Sequence, residues 1–166
     1  MATFGRHLGL DDEQVTLMAE TGLAHDVGKL RIPLEMLAKP AKLTGDEMAV
    51  IRTHPAIGAD MLADIYEDQP QLLAAVRHHH EQLSGDGYPN GLKGGQIDEL
   101  SLLTAVVDVY TALTDRRDYK EAMPAAKAMA IMQTMAGPHL EPNLYRRFVE
   151  VAGDLGAAGS SSPAAA

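Results

Sequence analysis

The stretch ELSLLTAVVDVYTAL, residues 99–113, decides the fold. It is near-continuous in apolar residues from Leu100 to Val109. Such a segment reads as a helix buried at the centre of a bundle. One carboxylate, Asp108, stands in its middle. A carboxylate among Leu103, Ala105, Val106 and Val107 is costly unless it is paired or bound to a metal. On this segment alone, a buried salt bridge and a metal ligand both remain open.

Working outward, the same periodicity recurs. Leu10 to His25 places Val15, Leu17, Met18, Thr21, Gly22 and Leu23 on or near one face, with Asp11, Asp12 and Glu13 at the start, where acidic residues suit the helix dipole. Gly28, in Asp26-Val27-Gly28-Lys29, is read as the stop. Pro33 and Pro40 predict an irregular connection. Thr44-Gly45-Asp46-Glu47 is a capping box opening a helix through Met48, Ile51, Ile57, Met61 and Leu62. Pro55 predicts a kink or early break in it. Pro70 opens another helix that ends in the histidine run. Ser84 to Gly95 is glycine-rich and reads as a shaped loop. Pro124 to Met135 and Pro142 to Val151 predict two last helices. With no repeat and no alternating strand pattern, the fold class is all-α. Residues 1–153 form one domain in this reading, and 154–166 form a flexible tail.

Composition narrows the function classes. The chain has 166 residues, 46% of them hydrophobic, enough for a core. It has no cysteine, which excludes disulfides, thiolate metal sites and a thiol nucleophile. A formal charge of −9 argues against duplex nucleic acid as a partner. No run of 18 apolar residues and no basic-plus-apolar leader is visible, so the expectation is no membrane span and a cytoplasmic location.

The chemistry lies in histidines and aspartates that fall on different helices. His25-Asp26 ends one, His54 lies on the next, His79-His80 ends the third, and Asp108 sits in the central helix. His78 and His139 are read as ordinary structural histidines. Imidazole and carboxylate donors together suit iron, manganese, zinc or nickel. Two such metals sharing a carboxylate need about this many side chains, and helix-bundle interiors are where they are assembled.

These residues also match a family. His25-Asp26-Val27-Gly28-Lys29 resembles the HD-x-G-K signature of HD-superfamily metal phosphohydrolases. His54-Pro55-Ala56-Ile57-Gly58 is similar to the H-P-x-I-G helix that follows it. His79-His80-Glu81 with Gly85-Asp86-Gly87-Tyr88-Pro89 resembles the HHE…GxGYP signature of the HD-GYP subgroup, and Asn90 to Gly94 continues it. Asp108 to Thr114, then Arg117-Asp118-Tyr119-Lys120, is similar to the subgroup's closing block. The resemblance covers about Leu8 to Met132.

The resemblance implies an HD helical bundle with extra C-terminal helices and a glycine-rich GYP loop. It implies hydrolysis of cyclic di-GMP, to linear pGpG or onward to GMP, by a hydroxide held between two divalent metals. His25, Asp26, His54, His79, His80 and Asp108 would be the ligands, with Asp26 shared. Lys29 would face the scissile phosphate, and Arg117 and Lys120 would hold substrate phosphates. Tyr88 would offer a ring to a guanine or to a partner surface; a purely structural lid is the alternative for its loop. A diguanylate cyclase (GGDEF) domain and a sensory or receiver domain are the partners the family suggests.

The chain also departs from the pattern. The family has a further His on a helix more than ten residues before the HD motif. Here only Arg6-His7-Leu8-Gly9-Leu10 resembles the end of that helix, with His7 out of register. The expectation is one missing ligand and apolar surface left uncovered, hence possible homo-oligomers. Ser84, Leu102 and Thr111 replace residues common in the family, which predicts weaker support for Glu81 and the loop. Two other readings of function stand beside the hydrolase: a catalytically silent interaction module, and a phosphohydrolase acting on another cyclic dinucleotide or nucleotide.

Overall fold

A computed structural model of the chain describes residues 1–115 and 122–158, with 153–158 described by backbone alone. In chain order the helices are α1 (Ala2–His7), α2 (Asp12–Ala24), α3 (Leu34–Leu37), α4 (Gly45–Ile51), α5 (His54–Leu62), α6 (Pro70–His78), α7 (Glu99–Thr114), α8 (Ala125–Met135) and α9 (Pro142–Ala158). Short 3-10 turns cover Val27–Arg31 and Gly94–Gln96. Among the described residues there is no strand, only an isolated bridge between Ala136 and Leu140. The all-α expectation is borne out. No helix among them is long and apolar enough to cross a membrane.

Local chemistry sets the helix ends. Asp11 caps α2 by accepting from the Gln14 amide, and Gln14 answers onto the Asp11 amide. Thr44 and Glu47 form the same reciprocal pair on α4. The break foreseen at Pro55 is real: α4 stops at Ile51, and α5 begins at His54 with the proline in its first turn. There the missing N–H costs nothing. α9 continues to Ala158, into the 154–166 segment that composition reads as a tail.

Two apolar clusters hold the bundle. The larger packs Phe4, Met18, Leu103, Val106, Met132, Phe148 and Val151, joining α1, α2, α7, α8 and α9. Phe148 meets Phe4 edge-on at 5.1 Å and Tyr110 at 5.0 Å, a geometry that aromatic quadrupoles favour. The smaller packs Ala59, Leu62, Leu72 and Val76 of α5 and α6, with Leu17, Ala24 and Val27 against it. α2 contributes to both, through Met18 to the larger and through Leu17 and Ala24 to the smaller. α7 is central as expected, with Leu103 and Val106 buried. Leu23 does not join the buried face of α2; it is 88% exposed, and Leu30 and Leu34 are exposed as well. Exposed apolar side chains therefore stand on both sides of the HD motif in the chain.

Gly28 plays a different part from the predicted stop. α2 ends at Ala24, and Gly28 lies inside the 3-10 turn that follows. It is needed for contact: a Cβ there would sit 2.0 Å from the His54 carbonyl oxygen and 2.6 Å from the Gly58 amide nitrogen. The glycine lets the HD turn lie directly on α5. Gly28→Ala is expected to cost roughly 2–4 kcal/mol, by forcing these backbones apart. Urea unfolding measures this, and an unchanged midpoint would contradict the packing described.

Candidate metal centre

The helices bring every described ligand candidate to one place. His25 caps the C-terminus of α2, with Asp26 directly after it. His54 is the first residue of α5, His79 caps α6 and His80 follows, while Asp108 projects from the middle of α7. Donor atoms of Asp26, His54, His79 and His80 all lie within 4.8 Å of one another, as do those of His25, Asp26 and Asp108. Asp26 belongs to both sets. Its Oδ1 faces His54 Nε2 at 3.2 Å and His79 Nε2 at 3.9 Å, and its Oδ2 faces His25 Nε2 at 3.6 Å. Asp108 reaches His25 Nε2 at 3.6 Å and His80 Nδ1 at 3.9 Å.

The tautomers explain what this arrangement is for. His25 Nδ1 lies 2.9 Å from the Gly22 carbonyl, His54 Nδ1 2.8 Å from that of Ile51, and His79 Nδ1 2.8 Å from that of Val76. A carbonyl only accepts, so each Nδ1 carries a proton, and Nε2 of the neutral ring presents a lone pair. His54 Nε2 and His79 Nε2 are 3.3 Å apart. Two neutral imidazoles in these tautomers cannot hydrogen-bond to each other there, and both lone pairs meet the Asp26 carboxylate. Asp26 Oδ1 is buried without a hydrogen-bond donor. Such a cluster is repulsive until a cation stands among its atoms. The donor set therefore fits divalent metals, with the backbone carbonyls fixing the imidazoles from behind.

Electrostatics agree. Burial opposes ionisation of Asp26, but the Lys29 ammonium on its other oxygen and His25 outweigh it and hold its carboxyl below the usual range. Burial likewise opposes ionisation of Asp108, and His25 and His80 hold it below its ordinary value. Burial pulls His25 down, yet Asp108 and Asp26 leave it raised. His79 is lowered to about 3 by burial and by the neighbouring His80 and His25. His80 is lowered to about 4 by burial, which Asp108 only partly offsets. His79 and His80 therefore stay neutral near pH 7, the form in which a histidine binds metal.

Lys29 extends its ammonium to Asp26 Oδ2 at 2.5 Å, beside the shared carboxylate. Tyr88 stacks on His80, centroids 4.8 Å apart at 29°, and the guanidinium carbon of Arg52 lies 5.2 Å from its ring centroid. Its ring surface is thus engaged by protein groups. His78 and His139 lie in neither donor set. Arg117 and Lys120 fall outside the described residues. A cleft of about 470 Å³ opens beside His25 and Asp108, lined also by Gly22, Leu23, Thr104 and Thr111.

Two residues gain roles from the structure that their types alone did not reveal. Arg52 is one. Glu81 is the other: it is buried and accepts from the Asn90 amide at 2.6 Å and the Leu92 amide at 2.9 Å. Both its oxygens hold the GYP loop. Gly87 completes the fit, since a Cβ there would strike the backbone of His80, Glu81 and Gln82 at 2.5–2.6 Å. Glu81→Gln puts an amide NH₂ where one carboxylate oxygen accepts, a loss of about 1–3 kcal/mol. Hydrogen exchange at Asn90 and Leu92 should quicken in that variant; unaltered protection would refute the role.

The lowered histidines also fix the sign of a pH effect. An unfolded histidine titrates near 6.5, whereas His80 takes its proton only at about 4 in the folded chain. Between these values the unfolded chain binds more protons, so stability is full above 6.5 and is lost as pH falls toward 4. His25, being raised, acts in the opposite direction: its contribution is present at low pH and fades as pH rises through its folded value. In chelator, the unfolding midpoint should fall from pH 6.5 to 4, less steeply in His80→Asn. Equal slopes would contradict the buried, neutral ring.

Comparisons with known proteins point the same way. Residues 1–144 match the HD domain family. The chain is 40% identical over 153 residues to a cyclic di-GMP phosphodiesterase of Pseudomonas aeruginosa, covering 92% of this chain and 37% of that protein. It is 40% identical over 136 residues to the cyclic di-GMP phosphodiesterase response regulator RpfG of Xanthomonas campestris, covering 81% of this chain and 36% of that one. It is 39% identical over 128 residues to a 3'3'-cGAMP-specific phosphodiesterase of Vibrio cholerae, covering 77% and 30%. The chain thus spans about a third of the length of these curated relatives. Among solved structures, an HDG"Y"P protein of Bdellovibrio bacteriovorus superposes with a TM-score of 0.73 at 20% identity, over 91% of this chain and 48% of that one, which shows a shared fold. From the helical bundle, the converging histidines and aspartates, and these matches, the chain belongs to the HD domain family, and its resemblance to the HD-GYP subgroup is borne out.

Proposed function

We propose that this chain is a metal-dependent phosphodiesterase that hydrolyses cyclic di-GMP. The carrying observation is the pair of donor sets that share Asp26, with imidazole lone pairs fixed toward one point. In this reading two divalent transition metals occupy the sets: one held by Asp26, His54, His79 and His80, the other by His25, Asp26 and Asp108. Iron, manganese, zinc and nickel all suit these ligands. When bound, such metals supply Lewis acidity, which activates water at neutral pH and neutralises charge on a phosphodiester.

The chain's own residues do the rest. The backbone carbonyls of Gly22, Ile51 and Val76 keep three imidazoles in the ligating tautomer. Asp26 stays ionised and spans both sets. Lys29, beside Asp26 Oδ2, is placed to donate a hydrogen bond to phosphate oxygen or a proton to the leaving oxygen. Glu81 holds the GYP loop and keeps Tyr88 against His80. Arg117 and Lys120 remain the phosphate-binding residues that the family pattern suggests. A cytoplasmic site of action belongs to the same reading. The cGAMP-specific relative at comparable identity favours one second reading, in which the substrate is 3'3'-cGAMP.

Metal analysis joined to turnover tests the proposal. The unsubstituted chain should hold about two transition-metal equivalents and cleave cyclic di-GMP, or 3'3'-cGAMP on the second reading. Asp26→Ala should lose metal from both sets and lower turnover by a thousandfold or more, on the order of 4 kcal/mol in transition-state stabilisation. A folded, unsubstituted chain with no metal would instead support the silent interaction module. Turnover retained in Asp26→Ala would end the mechanism.

A further inference from the structure

Arg52 caps the C-terminus of α4, two residues before the ligand candidate His54. Its guanidinium lies over the face of Tyr88, and Tyr88 is stacked on His80. An exposed cation is thus held one aromatic ring away from the metal centre. Among the described residues its guanidinium donates no hydrogen bond and pairs with no carboxylate, although acidic residues outnumber basic ones 23 to 14. Arg77, Arg146 and Arg147 all find acceptors within the protein, in Asp60, Asn143 and His7 respectively. Arg52 does not.

A guanidinium laid on an aromatic face is fixed in its plane while its N–H edges stay free. That is a pre-set fork for an oxyanion. The neighbouring centre contains the carboxylates of Asp26 and Asp108, which repel an anionic ligand wherever metal does not offset them. An unpaired cation at the rim supplies the attraction they lack. A cyclic dinucleotide has two phosphodiesters on opposite sides of its macrocycle, so with one at the metals the other lies outside the donor sets.

We propose that Arg52, oriented by the Tyr88 ring, binds the phosphate of the cyclic dinucleotide that is not being cleaved. The inference rests on the phosphodiesterase reading and adds a substrate-recognition residue to it. It also gives Tyr88 a role as the platform for Arg52.

The test uses the full metal-loaded chain and cyclic di-GMP, with binding and turnover measured separately. Arg52→Gln should weaken binding about tenfold to a hundredfold, the value of one charge-assisted hydrogen bond. KM should rise with it, while kcat and metal content hold. Arg52→Lys keeps the charge and should recover part of the loss. Added salt should weaken binding less in Arg52→Gln than in the unsubstituted chain, because a screened charge–charge attraction has been removed. Unchanged affinity in Arg52→Gln overturns the proposal. So does a weakened affinity with an unchanged salt dependence, which marks a contact to a neutral base edge, or a loss that follows metal content. A chain that binds cyclic di-GMP without cleaving it overturns the hydrolase reading alone, because the Arg52 comparison is still read from binding. A chain that does neither overturns both.

Discussion

Three imidazoles of this protein each give their Nδ1 proton to a carbonyl of the turn before them. That bond leaves Nε2 as a lone pair and dictates where it points. Because His25, His54 and His79 sit at or beside helix ends, carbonyls left free by the helices serve as acceptors. The lone pairs then converge on Asp26, whose carboxylate cannot satisfy them. The whole centre is a cluster of acceptors that the fold forces together, and a cation is what makes it stable.

The bundle is arranged around that constraint. α2 packs against both apolar clusters and carries His25 and Asp26 at and just beyond its C-terminal end. α5 and α6 supply His54 and His79, and α7 supplies Asp108. Such convergence needs close backbone approach, which Gly28 provides by lying on the start of α5. A side chain at that position would separate the HD turn from His54, so packing and chemistry depend on the same missing Cβ. The proline at the start of α5 serves the same end, since the chain turns between α4 and α5 and so aims His54 inward.

A second layer controls what approaches the centre. Glu81 uses both carboxylate oxygens on backbone amides of the GYP loop, so a charged group in the interior is fully satisfied. The loop in turn lays Tyr88 on His80, and Tyr88 meets Arg52. The sequence motif HHE…GxGYP is therefore one physical unit: two histidines in the donor cluster, a glutamate that secures the loop, a glycine that lets it lie flat, and a ring that connects the cluster to Arg52.

Much of this was legible in the linear chain. The all-α class followed from the apolar run around Asp108, the capping box at Thr44 and the prolines at 55 and 70, because helix propensity, capping and proline sterics act over a few residues. The candidate donors that the structure gathers were legible because metal chemistry restricts residue type and the motifs fall in a fixed order. What the sequence left undecided depends on groups distant in the chain. Gly28 reads locally as a helix stop, yet its reason is a helix that begins more than twenty residues later. Leu23 fits the apolar period of α2 but has no partner to bury it. Glu81 looks like one more acidic residue until the Asn90 and Leu92 amides reach it, and Arg52 like one more surface cation until Tyr88 arrives. Residue type and spacing determine what a segment can be, because those forces are local. Tertiary structure decides which lone pairs, rings and charges face each other, because that depends on distances the chain sets only when it has folded.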